Sequence, residues 1–251
     1  MSQLRIQRFR VNQQGVGEFD GGKITEQKPI GFPGEGSEVK RVGPLFYWAW
    51  AKAEHEGYIP LHPHQGFEII TYVISGKAEH GDSLGTRSVV GAGGLQVMQT
   101  GSGVSHEEGF VGPDMQGFQI WFEPHLREAL RRKPTYQQFE HEEFQTIVKD
   151  GVKVKEILGD DSPVSFETDA LMWDVLIEDG IMFQQSLTKG RSLTVLVLDG
   201  AGELNEHVYE VKDFFVIDGE ESVEMIVRAK EKTRLLMIEV PTSVSYPLLR
   251  K

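Results

Sequence analysis

Short apolar runs rich in β-branched and aromatic residues recur along most of this chain, and glycine-rich segments separate them. Runs of that length and composition predict β-strands, and their spacing predicts tight turns between them. Residues 3–12 read as an opening strand, whereas 15–36 is polar, glycine-studded and without a period. After Gly43-Pro44, residues 45–51 form an aromatic run expected to be buried. Residues 67–74 predict a strand ending in a turn at Ser75-Gly76, and 77–80 a return strand. Further strands are expected at 86–90, 95–98 and 117–122. Residues 124–131 could form a short helix stopped by Pro134, and 136–144 read as a polar surface connector. Strand-like spacing then resumes at 152–158, 171–177, 182–187, 192–198, 214–217, 223–227 and 234–240. Many short strands with glycine turns predict an all-β chain built as sandwiches or barrels. The second half repeats the first coarsely, so two domains are expected, at 1–135 and 136–251.

Composition narrows the chemistry. The 251 residues carry 38 Asp and Glu against 26 Lys and Arg, a formal charge of -12, which disfavours direct binding to nucleic acid or to an anionic membrane. No cysteine is present, so thiolate metal sites, disulfides and cysteine nucleophiles are excluded. The N-terminal residues show no signal-peptide pattern and no apolar run is long enough for a membrane helix. A cytoplasmic protein is the simplest expectation.

Any metal must therefore be held by nitrogen and oxygen. His62-Pro63-His64 places two imidazoles at alternate positions, on one face of a strand and roughly 6.6 Å apart at Cα. That separation suits two ligands each about 2.1 Å from a common ion. His106 and Glu108 repeat the spacing on a second strand-like stretch. Either pair alone is what a surface turn would also carry; both together predict a three-histidine, one-carboxylate site for one divalent transition metal. Glu68 is the rival carboxylate: it shares the parity of His64, yet lies about 13 Å further along an extended strand. Glu107 has the wrong parity. His80 is expected to be hydrogen-bonded near the site, and His55, His125, His141 and His207 to be solvated. Phe46, Trp48, Trp50, Phe118 and Trp121 are either core or the lining of a substrate cavity.

The segments His62-Pro63-His64-Gln65-Gly66-Phe67-Glu68, Glu79-His80-Gly81-Asp82, Gly103-Val104-Ser105-His106-Glu107-Glu108, Gly117-Phe118-Gln119-Ile120-Trp121 and Pro134-Thr135-Tyr136-Gln137 resemble the pirin family of the cupin superfamily. The resemblance is specific over residues 60–137. It implies a bicupin, two tandem cupin (double-stranded β-helix, jelly-roll) barrels. It also implies that His62, His64, His106 and Glu108 bind the metal in the first barrel, with Fe(II) expected and Mn, Ni, Cu, Zn or Co as other occupants. The second barrel is then a degenerate one without a metal, in keeping with the absence of imidazole at 181–185. Two positions depart from the family pattern, Gln65 and Ser102, where arginine is common.

As some pirins are quercetinases, the resemblance implies an oxidoreductase that cleaves a flavonol-like aromatic molecule with dioxygen and releases carbon monoxide. Glu108 would then be both ligand and catalytic proton acceptor. The alternatives are a non-enzymatic, metal- or redox-responsive regulator with a protein partner, and another cupin dioxygenase activity on an unknown small molecule.

Overall fold

The computed structural model describes residues 4–219 and 221–249. Gln3, the first residue of the expected opening strand, lies outside that range, as do Met1 and Ser2. In chain order the strands are β1 (Leu4–Phe9), β2 (Gly15–Phe19), β3 (Ile24–Ile30), β4 (Leu45–Ala53), β5 (Glu56–His64), β6 (Glu68–Asp82), β7 (Arg87–Gly91), β8 (Leu95–Gln99) and β9 (Val104–Phe122). A single helical turn, α1 (Leu126–Ala129), precedes β10 (Thr135–Phe139) and β11 (Thr146–Lys149). The rest are β12 (Val152–Leu158), β13 (Leu171–Ile177), β14 (Met182–Leu187), β15 (Arg191–Asp199), β16 (Gly202–Leu204), β17 (His207–Tyr209), β18 (Phe214–Gly219), β19 (Val223–Ala229) and β20 (Thr233–Pro241).

Two compact units result. One comprises Gln14–Glu143, Pro163–Thr168 and the residues from Ser245 on; the other comprises the residues up to Gln13, Phe144–Ser162 and Asp169–Val244. The split expected at 135/136 therefore needs correction. β1 pairs antiparallel with β18, Leu4 opposite Gly219, and so completes the second unit's sheet. β10, expected as a connector, pairs with β8 from Thr135↔Gln99 to Phe139↔Leu95 and belongs to the first unit. Unpaired edge N–H and C=O groups on β8 and β18 recruit these strands regardless of sequence distance.

In the histidine-bearing unit one sheet runs β10-β8-β6-β9-β4-β3-β2, with β5 added to β9 and β7 to β6. Two strands are unusually long, and they decide its shape. β6 does not turn at Ser75-Gly76; it continues to Asp82 through register shifts at Val73/Ser75 and Ser75/Lys77 against β9. Gly76 has φ 72°, and a Cβ there would stand 2.7 Å from the carbonyl oxygen of Val111 and 2.8 Å from Cα of Met115. Only glycine permits so close an approach in that conformation. The bulge bends both strands, so their first and second halves serve different walls of the barrel.

The polar, glycine-studded stretch expected to lack a period contains β2 and β3. The alternation in β3 is real, but its inward positions include Glu26 and Lys28, both buried and 3.2 Å apart as an ion pair. Lys28 also meets Glu35 at 2.7 Å, and the Tyr47 hydroxyl donates to Glu26 at 3.3 Å. Burial keeps the Glu26 carboxyl above its ordinary range in spite of Lys28, and drives the Tyr47 hydroxyl up as well. Phe46, Trp48 and Phe118 are fully buried and Trp50 nearly so; these four aromatics are core.

The second unit pairs the sheet β1-β18-β15-β20-β13-β12-β11 with the sheet β14-β19-β16-β17. Its core is aliphatic and aromatic, with Val175, Leu193, Val195, Phe215, Met225, Val227 and Met237 among its members.

Candidate metal centre

The register of three strands assembles the site. His62 on β5 lies directly opposite His106 on β9, and Asp82 on β6 lies opposite His106 from the other side. Two residues on, Glu108 faces His80. Opposed residues of antiparallel strands project to the same face, so this register stacks the polar groups in one layer. Among the described residues β5 pairs with β9 alone, which makes it an edge strand and explains why it tolerates Pro60 and Pro63.

His62, His64 and His106 bring one ring nitrogen each within 4.8 Å of the others. Two nitrogens each about 2.1 Å from one ion are at most about 4.2 Å apart, so a bound ion would draw the three rings closer together. Among the described residues it is the one group of three or more metal-ligating side chains whose atoms converge in this way. The Nε2 atoms of His64 and His106 are buried and have no hydrogen-bond partner. His62 Nδ1 donates to the Pro60 carbonyl at 2.8 Å, which leaves its Nε2 lone pair available. Burial and the neighbouring imidazoles hold His64 and His106 down to about 3, so both rings are neutral near pH 7. Buried, neutral imidazoles with unused lone pairs are the donor set a divalent transition metal takes.

Glu108 is buried, with Oε2 3.9 Å from His106 Nε2. The Gln119 amide donates to both of its oxygens, at 2.7 and 2.9 Å. Burial raises the Glu108 carboxyl above its ordinary range, against the pull of Gln119, His62 and His80. The rival carboxylate is engaged elsewhere. Glu68 accepts from the backbone N–H groups of Glu167 and Thr168, from the Thr168 hydroxyl and from Gln99. It fastens residues 163–168 to the barrel and is not among the converging groups.

His80 donates to Asp82 at 3.0 Å, and its ring stacks on Tyr136 with centroids 4.3 Å apart. Burial pushes Asp82 up, yet the bonds from His80, Thr86 and Leu84 outweigh it and hold the carboxyl below the ordinary range. Trp121, alone of the five aromatics considered, reaches the site, edge-on to His64 at 4.7 Å. His125 and His141 are half-buried, which differs from the solvated state expected; His125 packs on Tyr246. His55 and His207 are exposed.

An open cavity of about 480 Å³ leads to His64 past Gln65, Gly103, Val104 and Ser105. Gln65 lies at its rim, where its Nε2 donates to the Ser102 carbonyl at 2.9 Å. A larger cleft of about 850 Å³, lined by Lys23, Lys52, His55 and Pro113, has no converging ligand set. Gln119 had no role assigned from the sequence. Its one signal was a polar side chain two residues from Trp121 in an otherwise apolar strand.

Comparison with known proteins agrees with this architecture. The family model "Pirin" matches residues 46–122. A pirin-like protein of Caulobacter vibrioides is 34% identical over 158 residues, 59% of this chain and 56% of that protein. The chain thus matches little more than half the length of that relative. Human pirin is 31% identical over 76% of this chain and 64% of its own. A Pseudomonas aeruginosa protein provisionally assigned as a quercetin 2,3-dioxygenase is 31% identical over 188 residues, 72% of this chain and 76% of its own. Among solved structures, Escherichia coli YhhW in complex with nickel(II) superposes with a TM-score of 0.79 at 22% identity, covering 94% of this chain and 99% of that one. A quercetin 2,3-dioxygenase of Acinetobacter baumannii gives 0.82 at 22% identity over 100% and 90%. The fold is that of a bicupin. On the extent and identity of these matches, together with the histidine layer that the strand register builds, the chain belongs to the pirin family.

Proposed function

We propose that the first barrel binds one divalent transition metal through His62, His64, His106 and Glu108, with Fe(II) as the working ion, and that the site opens the ring of a flavonol with dioxygen. The observation that carries the reading is the pair of buried Nε2 atoms on His64 and His106 that no protein donor or acceptor meets. Most buried polar atoms in folded proteins are satisfied, and these two lie in the one converging histidine cluster among the described residues, so a missing ligand is the economical account. A bound ion supplies a Lewis acid for an aromatic hydroxyl and a redox partner for dioxygen.

The chain's own groups do the rest. Glu108, in a dry site that raises its proton affinity, takes the proton of the flavonol 3-hydroxyl on Oε2. Trp121 offers an apolar wall beside His64, and the cavity lies within the roughly 300–1,000 Å³ range of small-molecule sites. With Gln65 at the rim, no guanidinium meets the substrate there. Related proteins assigned to flavonol dioxygenation support the substrate class.

The test combines metal analysis of the purified protein with an aerobic flavonol assay on wild type and His106→Ala. Loss of the flavonol absorption band with stoichiometric carbon monoxide, absent in the mutant, is the expected result. One bound metal with no turnover of any flavonol would overturn the enzymatic part and leave a metal-responsive binding protein.

A further inference from the structure

Gln119 is held by a one-way chain of hydrogen bonds. Trp121 Nε1, which can only donate, gives its proton to Gln119 Oε1 at 3.0 Å. That bond fixes which end of the amide is oxygen. The NH₂ end must then face Glu108, where it donates to Oε1 at 2.7 Å and to Oε2 at 2.9 Å. The same indole packs edge-on against His64. Trp121 therefore braces a histidine directly and a carboxylate through Gln119.

Glu108 flanks the three converging imidazoles: its Oε2 is 3.9 Å from His106 Nε2, and both of its oxygens accept from Gln119. We infer that Gln119 is a positioning residue which fixes Glu108 as the fourth ligand, and that Trp121 sets the orientation of its amide. The inference rests on the metal site proposed above and extends it to two residues that need not touch the ion. A carboxylate on a flexible two-carbon stem has several rotamers open to it. Two donors on one amide select the rotamer that presents it to the histidine layer, and partners of this kind govern metal affinity and geometry.

The test is Co(II) binding, read by competition with a chromophoric chelator and by the visible d–d spectrum, on wild type, Gln119→Met, Trp121→Phe and Glu108→Ala. Gln119→Met keeps the side-chain volume and removes both donors. It is expected to bind Co(II) about 10- to 100-fold more weakly, with shifted d–d bands and an unchanged far-UV spectrum. Trp121→Phe, which frees the amide to flip, is expected to fall between wild type and Gln119→Met. A merely structural glutamine would alter the melting temperature and leave the cobalt bands alone. If Glu108→Ala moves the bands while Gln119→Met and Trp121→Phe leave both bands and affinity as in wild type, the inference is overturned and the ligand set stands. If Glu108→Ala also changes nothing, Glu108 is no ligand and both fall.

Discussion

His62 and His106 face each other across β5 and β9 with ring centroids 4.4 Å apart, in direct register and without an intervening hydrogen bond. Two imidazoles so placed repel if protonated and share an ion if neutral. Replacing His106 with alanine should therefore lower divalent-metal affinity by more than the roughly 100-fold that loss of an outer partner costs. Isothermal titration with Ni(II) measures it. Chelation of the loaded wild type should lower its melting temperature, since a metal bound 1,000-fold above its Kd stabilises by about 4 kcal/mol.

Acidity should destabilise the metal-free protein through the same rings. His64 and His106 are held near 3 in the fold, against 6.5 for the free side chain. Between those values the unfolded chain binds more protons than the folded one, so stability falls as pH drops from about 6.5 towards about 3. Thermal melts of the apoprotein across that window should show a steeper loss for wild type than for His64→Gln. Equal slopes would show that His64 is not buried in a neutral form.

Glu68 and Glu108 should separate cleanly by mutation. Glu68→Gln places an amide NH₂ against backbone donors from Glu167 or Thr168, at a cost of about 1.5–3 kcal/mol for a bond to a charged group. Urea unfolding should register that loss, while the Ni(II) stoichiometry stays as in wild type. A Glu68→Gln protein that folds normally and takes up no metal would reverse the assignment of the two carboxylates.

Lys28 offers a test of the buried pair that hides β3. Lys28→Met leaves Glu26 buried without its cation and should cost about 3–5 kcal/mol, read by chemical denaturation. Glu26→Leu with Lys28→Met removes both charges and should recover most of it. If the double variant is no more stable than the single one, the interaction with Glu35 carries the site instead.

Much of the fold was readable because its strands are short apolar runs rich in β-branched and aromatic residues, as in β4, β15 and β20, which are buried almost throughout. The failures have particular causes. β3 was invisible because Glu26 and Lys28 occupy core positions as a mutually neutralising pair, which no hydropathy pattern registers. The turn expected at Ser75-Gly76 is a bulge, since a glycine at positive φ serves both and only the opposing strand decides. β10 carries no apolar face of its own; the open edge of β8 makes it a strand. At the site, strand parity and family resemblance brought out the four residues now proposed as ligands. Gln119 was beyond parity, because its distance to Glu108 depends on how β9 bends between Val111 and Gln116.

The pairing of β1 with β18 bears on how the protein is made. Leu4 must await Gly219, so β1 leaves the ribosome long before its neighbour is made. The histidine-bearing barrel is also finished late, by Pro163–Thr168 and the residues from Ser245 on. Such distant closures slow folding, since loop entropy is lost before the contacts form. No single cleavage yields two whole barrels from this chain, and a fragment ending at residue 135 would carry an orphan strand at its start and an open edge at its end.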